Sequence, residues 1–82
     1  MAAAGHPRLR CQTFLTRLSK FGIVEARQRG SHIILLKPLS PGSKKGPTYP
    51  VPCHKPTEEV SPYILRSVLR RFGISEDDFW KD

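Results

Sequence analysis

The sequence predicts an α+β fold in the order α-β-β-β-α with a short closing helix, two helices layered on one face of a three-stranded antiparallel sheet. Three observations carry that expectation. Apolar residues recur at three- and four-residue steps near both ends of the chain, and they change to a two-residue alternation between residues 24 and 53. Similar stop signals, Phe21-Gly22-Ile23 and Phe72-Gly73-Ile74, close both periodic stretches. Two helices on one sheet face is the simplest layering that buries both apolar stripes.

The first helix is expected to begin between Pro7 and Leu9, after an Ala/Gly tail over residues 1–7. Cys11, Phe14, Leu15, Leu18 and Phe21 form its stripe, and Arg10, Arg17 and Lys20 its outer face. Gly22 stands where a left-handed cap belongs, with Ile23 placed to fold back on the last turn. Val24 and Ala26 then alternate with Glu25, Arg27 and Arg29, as in a half-exposed strand that turns at Gly30.

His32 to Lys37 reads as a second strand, apolar on both parities. Ile34 and Leu36 share a side with His32, while Ile33 and Leu35 point the other way. A central strand reads this way, and the face left open by the helices points to a partner protein or a second copy. Pro38 to Pro47 is expected to be an irregular loop. A third strand carries Tyr49, Val51 and Cys53 on one parity and Pro50 and Pro52 on the other; proline has no amide to donate, so this strand is an edge.

Ser61-Pro62 is a helix start, serine as cap and proline at the first helical position. Ile64, Leu65, Val68, Leu69 and Phe72 face inward, and Arg66, Arg70 and Arg71 outward. Ser75 caps a last short turn, with Glu76, Asp77 and Asp78 at its positive end and Phe79-Trp80 as an apolar clasp.

The 82 residues allow one domain, residues 1–82, with residues 1–7 as a flexible tail. A net charge of +7 with a pI near 10.0 draws polyanions, nucleic acid first among them, though an acidic protein would satisfy the same field. The two cysteines, Cys11 and Cys53, lack metal-ligand spacing, so zinc is not expected. One disulfide between them is possible on paper, but Cys11 lies on an apolar stripe, which predicts a reduced buried thiol and a reducing, intracellular setting. The longest apolar run, Ile33 to Leu36, is far too short for a membrane span, so no membrane partner and a cytoplasmic location are expected. The first 24 residues carry no acidic residue, as in an organellar transit peptide, but they run without a linker into the rest of the pattern.

The segment Arg27-Gln28-Arg29-Gly30-Ser31-His32 concentrates chemistry. An imidazole can take or give a proton near neutral pH, glycine lets a ligand approach the backbone, and guanidinium groups suit phosphate oxygens. Taken locally, the plainer alternative is a histidine that opens a strand after solvated arginines.

That segment, with Val51-Pro52-Cys53-His54, Leu65-Arg66-Ser67-Val68-Leu69, Gly73-Ile74-Ser75-Glu76 and the α-β-β-β-α order, resembles the HicA family over residues 9–80. These are toxins of bacterial and archaeal toxin-antitoxin pairs with a double-stranded-RNA-binding-domain-like fold. The resemblance implies an mRNA interferase whose catalytic histidine matches His32, neutralised by a cognate HicB-type antitoxin. The chain departs from the family where a long Pro38 to Pro47 loop replaces a short hairpin turn, and where Tyr63-Ile64 replaces a Gly-Thr pair before the Leu65-Arg66 helix.

The chemistry expected is general acid-base cleavage without metal or cofactor. RNA supplies its own nucleophile, the ribose 2′-hydroxyl; the protein must take that proton, protonate the leaving 5′-oxygen and stabilise the charged phosphorane. His32 is the candidate acid or base. Arg27 and Arg29 are candidate phosphate clamps, Gly30 and Ser31 candidate amide or hydroxyl donors, and His54 and Lys55 a candidate second proton donor and cation. Lys44, Lys45 and Arg66 are further candidate RNA contacts, while Tyr49 and Trp80 read as core anchors. Two rivals stand beside this reading: a non-catalytic RNA-binding module, and a decayed toxin that only binds its antitoxin.

Overall fold

The computed structural model describes residues 8–81. Its elements are α1 (Cys11–Ser19), β1 (Val24–Arg29), β2 (His32–Leu36), β3 (Thr48–Pro52), α2 (Pro62–Phe72) and α3 (Glu76–Trp80), the α+β layout that the sequence predicts. The strands form one antiparallel sheet in the order β1-β2-β3. β2 is central, and β3, with Pro50 and Pro52, is an edge. The tail expected over residues 1–7 lies outside the described residues.

The helices cover the face that carries Ile33, Leu35 and Val51, α1 over β1 and α2 over β3. Phe14 and Leu18 of α1 meet Leu65, Val68, Leu69 and Phe72 of α2 in the same core. Burying each such side chain stabilises the fold by roughly 1.5–3 kcal/mol relative to leaving it exposed. α3 closes one end: the Phe79 ring lies edge-on to Phe14 at 5.8 Å and to Trp80 at 5.1 Å.

The helix ends follow their sequence signals. Ser61 accepts a hydrogen bond from the Ile64 amide at 3.1 Å, and Ser75 from the Asp78 amide at 3.0 Å. After Phe21-Gly22 and Phe72-Gly73 the chain turns back, with the Ile23 amide donating to the Leu18 carbonyl at 3.3 Å and the Ile74 amide to the Leu69 carbonyl at 2.9 Å.

The other end of α1 differs from expectation. The helix begins at Cys11, not between Pro7 and Leu9, because Leu9 and Arg10 are spent on pairing with residues 59 and 60. No side chain caps it. Its first amides donate instead to main-chain carbonyls of the segment after β3, Cys11 to Glu58 at 2.7 Å and Gln12 to Pro56 at 3.0 Å.

Cys11 and Cys53 are joined in a disulfide across 42 residues, which overturns the expected reduced thiol. Both cysteines are on the inward positions that periodicity assigns them and both are buried. Their meeting is a tertiary fact, created where the start of α1 crosses the end of β3. The inference of a reducing setting loses the free thiol it rested on.

Arg17 is not on a solvated outer face: its guanidinium lies 5.9 Å from the Phe79 ring centroid and 5.6 Å from that of Trp80, and donates to the Phe79 carbonyl at 3.2 Å. The segment from Pro38 to Pro47 is the irregular loop expected, with no helix or strand in it; at its base Lys37 and Leu39 donate to the carbonyls of Pro47 and Lys45.

Candidate active site

β1 and β2 are joined by the two-residue turn Gly30-Ser31. Gly30 has φ +59°, and no described residue other than glycine has a positive φ. That combination suits a two-residue hairpin with glycine at its first position. The turn sets Arg29 directly opposite His32, and β3 sets Pro52 on the other side of His32. Directly opposed residues share a face of the sheet with Cβ atoms about 4.5–5.5 Å apart. Arg29, His32 and Pro52 therefore form one row on the face the helices leave open. Arg27, Ile34 and Pro50 form the next row, and Val24, Leu36 and Thr48 the third.

The grouping of both arginines with His32 depends on a β-bulge. Pairing shifts between Glu25 and Arg27, with Ala26 as the extra residue. In a regular strand Glu25 would share the parity of Arg27 and Arg29, as the sequence pattern suggests. The bulge instead sets Glu25 opposite Leu35 on the helix-covered side and Val24 opposite Leu36 on the open side. A carboxylate is thereby removed from the arginine face.

His32 is exposed, and its imidazole makes no hydrogen bond or ion pair with another described residue. The same holds for the guanidinium groups of Arg27 and Arg29. Beside them Ile34 is half-buried, and Leu36 is buried apart from the main core. An imidazole with both ring nitrogens uncommitted, next to two uncommitted cations, is able to exchange a proton with a ligand whose negative charge the arginines hold.

The other candidates divide. Gly30 and Ser31 belong to the site by position; the Ser31 carbonyl accepts from the Cys53 amide at 2.9 Å, a bond that ties the turn to the end of β3 and uses neither the amide nor the hydroxyl of Ser31. His54 and Lys55 do not complete the row, although parity continued from Pro52 would carry His54 onto it. β3 ends at Pro52, the His54 amide donates to a Glu58 carboxylate oxygen at 2.6 Å, and both residues line a cavity of about 340 Å³ with Gln12, Glu25 and Gln28. Lys44 and Lys45 are exposed at the opposite end of β2 from His32, and Arg66 is exposed on α2, which lies on the other sheet face. Among the described residues no three His, Cys, Asp or Glu side chains gather as metal ligands. Sequence reasoning missed the cavity, whose walls come from α1, β1 and the segment after β3.

A family model described as the HicA toxin of bacterial toxin-antitoxin pairs matches residues 11–74. The chain belongs to the HicA toxin family. The matched segment runs from the first residue of α1 to just past α2, and contains His32, both arginines and both cysteines; α3 lies beyond it. A HicA toxin implies an antitoxin as its partner. No helix among the described residues is long and apolar enough to cross a membrane. No curated protein and no solved structure matches the chain.

Proposed function

We propose that this HicA-family chain is an mRNA interferase that cuts RNA by general acid-base chemistry at His32 and is held inactive by a HicB-type antitoxin. The observation that carries the reading is the row formed by Arg29 and His32 on an open sheet face, with Arg27 in the next row. Scission requires proton removal from the 2′-hydroxyl, proton delivery to the 5′-oxygen, and positive charge beside the phosphorane. His32 exchanges the proton with the RNA, and Arg29 and Arg27 hold the phosphate oxygens. Because the nucleophile belongs to the RNA, no metal-bound water is required to supply it.

The same face supports the antitoxin reading. Ile34, Pro50 and the 46 % exposed Val24 offer apolar surface beside cationic side chains, which suits a partner with apolar contacts and acidic side chains. A partner seated there covers His32.

The test is incubation of the wild-type protein and His32→Ala with single-stranded RNA in EDTA, with circular dichroism confirming that both are folded. Cleavage by the wild type alone is expected. Equal cleavage by both moves the chemistry to another residue, and binding without cleavage by either favours a non-catalytic RNA-binding module. Antitoxin binding by a wild-type protein that neither cuts nor binds RNA marks a decayed toxin.

A further inference from the structure

The cavity beside His54 and Lys55 lies directly behind the candidate active site. Ile33 on its floor is the residue after His32, and Gln28 on its wall is the residue before Arg29; the two oppose each other across the ladder. Its floor is buried and apolar, formed by Ile33 and the Cys11–Cys53 disulfide. Its rim is exposed and polar, with Gln12, Glu25, Gln28 and Lys55.

The rim's hydrogen-bonding capacity is largely unspent. The side chains of Gln12, Glu25 and Lys55 make no hydrogen bond or ion pair with another described residue. Gln28 commits one donor, Nε2 to the Gly30 carbonyl at 3.2 Å, and keeps its carbonyl oxygen. The volume of about 340 Å³ falls within the range of small-molecule sites, about 300–1,000 Å³.

Glu25 decides the ligand class. On a chain of net charge +7, an uncommitted carboxylate beside a phosphate-binding face weakens backbone affinity. It gains a purpose if it reads a group rich in N–H donors. An apolar floor under a polar rim suits a flat heterocycle, stacked below and hydrogen-bonded at its edges. Guanine alone among the four RNA bases presents two adjacent donors, N1–H and the N2 amino group, to the two oxygens of a carboxylate. Lys55 and the Gln12 amide can then donate to its O6 and N7 acceptors.

We infer that the cavity is a guanine-selective base subsite for the RNA strand whose phosphate lies at His32, an inference that rests on the ribonuclease reading above. The strand passes around the Gly30-Ser31 end of the sheet, leaving a phosphate on the open face and a base behind it. Glu25 reads the base and Lys55 and Gln12 assist.

Titration of the four nucleoside 5′-monophosphates into the wild-type protein, followed by amide chemical shifts, tests it. Guanosine monophosphate is expected to bind at least about tenfold tighter than the other three and to move the Gln12, Gln28 and Ile33 amides. Glu25→Gln removes that preference, and Gln12→Ala weakens it, while inorganic phosphate binds Glu25→Gln at least as tightly as it binds the wild type. Wild-type RNA cleavage is measured alongside. Equal affinities for all four nucleotides, unchanged by Glu25→Gln, overturn the subsite even if RNA is cut at His32. Guanine selectivity in a protein that cuts no RNA overturns the ribonuclease reading and leaves the subsite standing.

Discussion

Arg29 stands directly opposite His32 across the β1–β2 ladder, at the pair that closes a two-residue turn. A terminal ladder pair has its position set by the turn on one side and by the sheet on the other. β2 is the central strand, so His32 is held by neighbours on both sides, Arg29 and Pro52. The candidate acid-base group thus rises from a rigid element, while its cation rises from an exposed edge strand.

This asymmetry separates the two arginines. Arg29 shares the row of His32, whereas Arg27 lies one row along, opposite Ile34. Losing a hydrogen bond to a charged phosphate costs about 1.5–3 kcal/mol, roughly a 10- to 150-fold loss in kcat/KM. Arg29→Gln is expected to show that loss on single-stranded RNA, and Arg27→Gln a smaller one. Equal effects from both would indicate a diffuse attractive field in place of a positioned cation.

Gly30 links the local conformation to the site. Its φ of +59° strains any residue with a Cβ, although open space surrounds the position. Gly30→Ala is expected to cost about 1 kcal/mol, lowering Tm by roughly 4–8 °C for a domain of this size. Because the turn fixes the register of the Arg29–His32 pair, RNA cleavage well below Tm is expected to fall as well. A stability loss with undiminished cleavage would show that the pair tolerates a reshaped turn.

What could be read from the chain alone was whatever depends on short spacings. Ser61, Ser75, Gly22 and Gly73 act within a few residues of themselves, so their caps were predictable from residue type. The Arg29-Gly30-Ser31-His32 hairpin is equally local. Glu25 was misplaced because a bulge at Ala26 inverts parity without any proline or glycine to announce it. The Cys11–Cys53 bond, the carbonyl cap on α1 and the cavity all arise where segments more than 40 residues apart meet. No periodicity within one element encodes such a meeting.

The disulfide is expected to carry a large share of the stability. Closing a loop of 42 residues removes unfolded-state entropy worth about 4 kcal/mol in the chain-entropy model, against the roughly 5–15 kcal/mol of a typical domain. The paired variant Cys11→Ala with Cys53→Ala should therefore melt far below the oxidised wild type, and dithiothreitol should lower the wild-type Tm in the same direction. The segment 53–60 should lose amide protection first, since the bond joins Cys53, which begins it, to Cys11, whose amide donates to the Glu58 carbonyl. An unchanged Tm on reduction would mean that the carbonyl cap and core suffice without the bond.

Arg17 offers the clearest separation of stability from function. Its guanidinium stacks near Phe79 and Trp80 and donates to the Phe79 carbonyl, fastening α3 to α1. A cation–π contact of about 0.5–1 kcal/mol and a hydrogen bond of about 0.5–1.5 kcal/mol together predict a loss of roughly 1–2 kcal/mol for Arg17→Ala. Arg17→Lys keeps the charge but loses the planar stack, so it should recover only part of that loss. α3 packs with α1 and α2 on the face away from His32, and the strands that align Arg29 with His32 do not depend on it. Thermal melts should therefore register both substitutions, while RNA cleavage measured well below either Tm should stay within about twofold of wild type. A large drop in cleavage by the folded Arg17→Ala protein would mean that RNA also contacts the helical face, and would extend the interface beyond the open sheet.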